Sequence, residues 1–341
     1  NDIPRVFDAD FKDCSLFSDE TGPSQDDREA CRLVEESTVL VNNKFSVGIP
    51  WKENPENLPS NRFVVMKRMN GLKRRLLNDD EFRNEYTGEM KKLIDNECIE
   101  PCAPNFDASS PKICHYIPLH PVWHPRKGTL RIVWDCAKSL NDFIYEGPNV
   151  LNSLVDVLIR FRRFKYAITS DIRKMYLNVQ LPESDRDAFC ILWWKDGDLS
   201  SEPSDYRSRV HIFGAKSSSF VVNNCVKKLA YSVKDSIVHN ALMNDFYVDD
   251  QASSVSSEDD AVTLAMGMRD TLAEGGFHLT KFASNSQAVL ELVPESDRIE
   301  SVSFGDDLEC SVLGMKWNVN NDKLSFQYSV PEIEQIPSHR M

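Results

Sequence analysis

The sequence predicts an α+β fold: an antiparallel sheet of split βαβ connectivity, covered by helices on one face. Three observations predict it. From about Lys165 onward the order runs strand, helix, strand–turn–strand, helix, strand, with β-branched and aromatic residues in the strands. Two of those strands end on acids, Tyr166–Asp171 and Phe246–Asp250. The intervening helices carry start and stop signals: Ser217 or Ser218 before one, Ser257 with Glu258, Asp259 and Asp260 before the next, and Gly275-Gly276 after it.

Taken in order, residues 1–60 are acidic and punctuated by Gly22-Pro23, Gly48, Pro50, Pro55 and Pro59, which predicts a weakly structured lead-in with one strand near Lys44–Ile49. Asn61 to about Arg75 reads as a helix with a basic face, and Asn78 caps a second helix over Asp79–Asp95. Pro101, Pro104, Pro111 and Pro118 then impose an extended segment. His115–Val122 and Thr129–Asp135 read as strands joined by the turn His124–Gly128, and Asn152 or Ser153 starts an amphipathic helix over Leu154–Phe161. Glu183–Asp187 reads as a helical turn before the strand Ala188–Trp194, and a helix capped at Ser217 or Ser218 runs to about Val233. Ala241-Leu242 and Phe246-Tyr247-Val248 have strand character, followed by the polar run Gln251–Ser257. His278–Phe282 reads as a strand, and Val312–Asn318 with Leu324–Tyr328 as a hairpin. The division expected is 1–60, 61–164, 165–318 and 319–341.

The chain of 341 residues, 41% hydrophobic and 27% charged, has a soluble globular composition with room for more than one subdomain. No apolar run approaches the ~20 residues of a membrane span, and no secretory signal is read at the acidic N-terminus. Nine scattered cysteines suit reduced thiols in an intracellular setting, cytoplasmic or nuclear. The net charge of −13 argues against nucleic-acid binding only if charge is spread evenly, and it is not. Residues 1–60 hold 6 Lys/Arg against 13 Asp/Glu and residues 241–310 hold 3 against 15, whereas residues 61–140 hold 14 against 10. Arg160–Lys174 adds six basic residues opposed by Asp171 alone, so the middle of the chain suits phosphate.

The chemistry centres on Asp249-Asp250. Paired aspartates at a strand end describe a solvated turn or a cation site, and Asp171 is the candidate third carboxylate. Three carboxylates suffice for two magnesium ions about 3.5–4 Å apart, which activate a hydroxyl and stabilise a leaving pyrophosphate. Alone, Asp171 equally suits a helix N-cap. Tyr176, five residues beyond it, suits either a core position or a flat platform beneath an incoming sugar, where a 2′-hydroxyl would clash. Arg126-Lys127-Gly128 with Arg131 forms a basic turn able to close on a triphosphate, and Phe213-Gly214 before the serine-capped helix lets backbone approach a base pair. Cys98, Cys102, His115 and His120 match two-Cys two-His zinc spacing, but Pro118 lies between the histidines where a finger needs unbroken helix, so no zinc is expected.

These blocks resemble the reverse transcriptase region of Pao/BEL-type LTR retrotransposon polyproteins, from about Gly48 to Trp317. The lead-in Val47-Gly48-Ile49-Pro50-Trp51-Lys52 with Leu58-Pro59-Ser60-Asn61 is similar, as are Ile117–Val122 and Leu130–Asp135. The most specific match runs through Ser139-Leu140-Asn141-Asp142, Gly147-Pro148-Asn149 and Asp156–Arg162 into Asp171-Ile172-Arg173-Lys174-Met175-Tyr176. The resemblance implies a right-hand polymerase, with 61–164 as fingers and helical N-terminal part, 165–318 as palm, and 319–341 as the start of a thumb or connection largely missing here. It implies metal ligation by Asp171, Asp249, Asp250 and the Ile172 backbone carbonyl, with Lys281 protonating pyrophosphate. Arg131 and Lys127 would meet the triphosphate, Tyr176 would gate the sugar, and Phe213 and Gly214 would lie near the nascent pair. Leu313, Gly314 and Met315 would form the primer grip.

The function expected is RNA-directed DNA polymerase, using two Mg²⁺ (or Mn²⁺), dNTPs and a primed RNA or DNA template, without a membrane partner. In the complete element, protease, ribonuclease H and integrase segments would accompany it, in a cytoplasmic particle or the nucleus. The alternatives are a truncated, catalytically silent nucleic-acid- or protein-binding module and, resting on the Cys/His spacing only, a zinc-binding regulator.

Overall fold

The structure, a computed structural model, describes residues 22–103, 114–124, 128–136, 140–299 and 309–326. It is a mixed fold of α-helices and antiparallel sheets. Helix α1 (Gln25–Ser37) starts at Ser24, whose side chain and that of Asp27 satisfy each other's backbone N–H in a capping box. Its buried Ala30 and Val34 face the hairpin β1 (Val39–Val41) and β2 (Lys44–Ser46), which puts Phe45 and Val47 into the same core. The expected weakly structured lead-in is therefore corrected from Gly22 onward. Apolar residues two and four apart bury this acidic stretch, whose charges face outward.

Helices α2 (Arg62–Asn78) and α3 (Asp80–Asp95) follow. The cap of α3 is Asp79, which accepts the Phe82 N–H at 2.9 Å, rather than the expected Asn78. Strand β3 (Ile99–Pro101) joins β8 (Ser204–Ser208) and β7 (Cys190–Trp193) in the order β3-β8-β7, while β4 (Leu119–Trp123) and β5 (Leu130–Trp134) form a separate hairpin. Between these elements lies an aromatic core in which Tyr86 stacks on Trp193 at 5.4 Å.

The four-stranded sheet runs β11 (Leu279–Ser284), β6 (Tyr166–Ile172), β10 (Asp250–Val255), β9 (Phe246–Tyr247), antiparallel throughout. One face, with Ile168, Ile172, Leu279 and Phe282, packs on α5 (Ser218–Ala230), α6 (Ser236–Asn244) and α7 (Glu258–Glu274). The other face, lined by Ala167, Ala252 and Ala283, is also covered. Helix α4 (Leu154–Phe161) and the small sheet β12 (Glu309–Val312), β13 (Met315–Asn318) and β14 (Lys323–Ser325) pack there through Val157, Phe161 and Trp317. Small side chains on this face admit the two rings, which meet edge-to-face at 5.1 Å.

Two expectations fail for local reasons. Ala241-Leu242 lies on α6, because Asp235 caps two backbone N–H groups and favours the helix over the strand. The polar run after Asp250 is a buried strand, because its polar side chains bond one another. The helix expected to reach Val233 ends at Ala230, and the C-terminal hairpin is three-stranded. Residues beyond 326, and with them the expected thumb, lie outside the described residues, as does Lys127. Among the described residues no helix is long and apolar enough to cross a membrane.

Candidate functional site

The central strand β6 carries Asp171 near its end, and Asp250 at the start of β10 is its direct partner across the ladder. The backbone closes around this pair: Ile172 donates its N–H to the Asp249 carbonyl at 2.9 Å, and Tyr247 pairs with Asp250. Val248-Asp249 is thus a two-residue hairpin loop. Val248 has φ +56°, the left-handed region at the first central position that a tight hairpin turn demands. A β-branched residue there is strained, and strain of this kind persists where neighbouring structure imposes it. On the other side of β6, Lys281 also has positive φ (+55°), within the irregularity between Thr280 and Ala283. That conformation delivers its amine to Asp171, with Nζ 2.7 Å from Oδ2.

The three carboxylates repel one another. Burial and the Asp171 charge raise Asp249 above the usual carboxylate range. Asp250 is raised to about 6 by burial and by the charges of Asp249 and Asp171, against the relief that Lys281 gives. Arg131 on β5 is close enough to favour the charged form of Asp249. Among the described residues, however, no group of three or more His, Cys, Asp or Glu side chains is gathered as a ready metal site. The acids share one corner of the sheet without converging on a point.

Beside them lies a small cleft lined by Asp171, Asp250, Lys281 and Gln251 from the main sheet, with Val312 and Leu313 from the C-terminal hairpin. Val312 and Met315 pair around Leu313-Gly314, both with positive φ (+49° and +83°), as a type I′ turn requires. The sequence-predicted Leu313 therefore meets the acidic corner, while Met315 is buried.

Tyr176 follows Lys174, a residue of positive φ that turns the chain after β6. Its ring meets that of Phe213 edge-to-face at 5.5 Å, and Phe213 is 68% exposed. Gly214 has φ +113°, and a Cβ there would sit 2.6 Å from the Trp134 carbonyl oxygen, so only glycine lets this loop approach β5. Asn141 holds the loop from the other side, donating to the Gly214 carbonyl and accepting from the Lys216 N–H, both at 3.0 Å.

Sequence reasoning missed a supporting chain beneath the acids. Ser170 donates to Gln251 at 2.9 Å, Gln251 to Ser253 at 2.7 Å, and Ser253 to Asp245 at 2.6 Å, whose carboxylate takes Arg160 Nε at 2.8 Å. The signal was present as alternating polar residues after Asp250, in a pattern that a loop also produces. Of the finger-like spacing, His115 lies against the Pro59 carbonyl and Asn61, buried Cys98 bonds the Asn96 carbonyl, and His120 is on β4.

No family model matches the chain, and no curated protein does. Similar solved structures are those of foamy viral protease–reverse transcriptase. The form in complex with dsDNA is 14% identical, with a TM-score of 0.49 over 72% of this chain and 41% of that one. The dRH form with ds DNA is 16% identical, with a TM-score of 0.47 over 68% and 33%. A prototype foamy virus mutant is 17% identical, with a TM-score of 0.45 over 60% and 24%. The chain spans about two fifths of the length of the first of these.

Proposed function

We propose that this chain is the fingers and palm of an RNA-directed DNA polymerase of Pao/BEL retrotransposon type, extending a primer from dNTPs on an RNA or DNA template. The observation that carries the reading is the register of β6 and β10, which sets Asp171 opposite Asp250 with Asp249 in the adjoining turn. Carboxylates with raised proton affinity at one corner suit divalent cations, and magnesium completes its shell with water and substrate phosphate, so a preformed cage is unnecessary. Asp171, Asp249 and Asp250, with the Ile172 carbonyl at their side, would hold two Mg²⁺, or Mn²⁺ in their place. When bound, these ions supply charge for the attacking 3′-hydroxyl and the leaving pyrophosphate.

The chain's own residues account for the rest. Lys281, whose amine already reaches the acidic corner, is placed to give a proton to the leaving pyrophosphate. Arg131, with Lys127 close by in sequence, binds the triphosphate, and Leu313-Gly314 positions the primer end. Phe213 braces Tyr176 edge-on, fixing the ring that rejects a 2′-hydroxyl. Tyr176→Ala is expected to raise ribonucleotide incorporation at least about tenfold relative to dNTPs. Unchanged discrimination would move the gate to another residue.

The test of the function is primer extension on an RNA template with Mg²⁺, using this chain alone and with its neighbouring segments. A silent binding module is the second reading, favoured by the Lys281–Asp171 ion pair, which already neutralises one of the three carboxylates. Template binding that is retained without any extension, in the longer protein as well, would select it.

A further inference from the structure

A second cleft, of about 140 Å³, shares no lining residue with the cleft at the acidic corner. Tight turns meet around it, each with a left-handed residue: Asn43 ahead of Lys44, Glu97 between α3 and β3, Lys174 after β6, and Gly276 after α7. A Cβ at Gly276 would sit 2.7 Å from the Asn43 carbonyl oxygen and 3.3 Å from Lys44 Cγ, so glycine leaves the Lys44 side chain its place. Glu97 and Lys174 hold the same conformation without glycine, a strain that neighbouring structure imposes. Gln180 is pinned between them, its N–H on the Phe45 carbonyl at 2.8 Å and its carbonyl on the Val47 N–H at 3.0 Å.

The lining is rich in donors that nothing uses. Among the described residues, neither the Lys44 nor the Lys174 amine has a carboxylate partner, and the Gln180 side-chain amide has no hydrogen bond. The acid of the lining, Glu97, is already taken by Arg209 Nη1 at 3.3 Å. Burial raises the Cys98 thiol in the wall, and the charges of Lys174, Lys44 and Arg209 oppose that rise, so the cleft is electropositive in a chain that is acidic overall. We propose that this cleft binds a phosphate group, with the Lys44 and Lys174 ammonium groups and the Gln180 amide as its donors. A phosphate carries about −1.5 to −2 charges near pH 7, which two lysines match, whereas a single carboxylate would leave one of them uncompensated. Room for one or two phosphoryl groups admits inorganic phosphate, pyrophosphate or a phosphate of a nucleic-acid strand. Neither metal nor primer is needed, so binding here is separable from extension at the acidic corner.

Isothermal titration of the full chain in EDTA at low ionic strength tests this, with inorganic phosphate, pyrophosphate and a short single-stranded oligodeoxynucleotide as ligands. Saturable binding of phosphate or pyrophosphate is expected, weakened about tenfold by Lys44→Ala or Lys174→Ala, further in the double variant, and unchanged in Arg131→Ala. Lysine-dependent saturation by the oligonucleotide alone would still place a phosphate here, supplied by a strand. In unaltered protein, the bound anion should slow acetylation of Lys44 and Lys174 relative to exposed Lys91, a readout that survives a variant that fails to fold. No saturation by any of the three ligands, equal affinity in the double variant, or equal protection of Lys91 would overturn the site.

Discussion

Two regions place carboxylates in poorly solvated surroundings, and they handle the charge in opposite ways. At the seam where residues 45–51 dock, buried Asp185 receives the Ile49 N–H at 2.8 Å and the Trp51 indole N–H at 3.2 Å, with Ser184 as a third donor. Burial still raises its pKa, but each donor works against that rise. The acidic corner has like charges where the seam has donors: Asp250 is pushed up by burial and then further by Asp249 and Asp171. The seam acid is a structural anchor, joined by buried His211, whose Nε2 meets the Val47 carbonyl at 2.9 Å. The corner is an arrangement that a bound cation would relieve.

The largest expected effect lies in the seam. Burial lowers His211 to about 4 from its model-compound value of 6.5, so the folded state binds fewer protons than the unfolded chain. The stabilisation from neutral His211 is complete above pH ~6.5 and lost as pH falls toward ~4, amounting to about 3 kcal/mol. Asp185 and Asp250, both raised, slope the other way, so denaturant melts across that window should isolate the effect as wild type minus His211→Gln. Parallel profiles would show that His211 is not a buried neutral group.

Next, Asp185→Ala should destabilise the chain by about 2 kcal/mol, because it strands the Ile49 and Trp51 N–H donors, which were bonded to a charged acceptor. The readout is the urea midpoint at constant m, and a loss below about 0.5 kcal/mol would remove the seam as an anchor. The smallest effect belongs to the corner. Folded Asp250 titrates near 6, so in metal-free protein its contribution is favourable below its ordinary value of 3.8 and is lost as pH rises through about 6. Asp250→Asn should therefore stabilise metal-free protein above pH 6. Neighbouring groups crowd the carboxylate, yet the residue keeps enough exposed surface for solvent to screen its charge, so the gain is ~1 kcal/mol or less, and it disappears below pH 4. Equal melts at pH 7 would mean that the corner carries no repulsion to relieve.

The sequence was most legible where chemistry is local. Ser153, Ser257 and the Gly275 stop bound their helices as read, since caps act within one turn. The acids Asp171, Asp249 and Asp250 were legible as strand ends. Their register was not, because the pairing of Asp250 with Asp171 is settled by packing between residues far apart in the chain. Strand β10 was hidden for a related reason: Gln251 and Ser253 look like loop residues until they bond each other and Ser170 on β6. Docking of the lead-in was illegible because its partners, Asp185 and His211, lie more than a hundred residues away.

The most direct test of the central claim is Mg²⁺-dependent primer extension on an RNA template, comparing wild type with Asp249→Asn. A functional corner predicts extension by the wild type and a loss of more than about a hundredfold in the variant, since even outer-shell changes cost 10–100-fold. The variant should melt at least as high as wild type in the absence of metal. Equal extension by the two proteins would contradict a catalytic role for the Asp249 carboxylate.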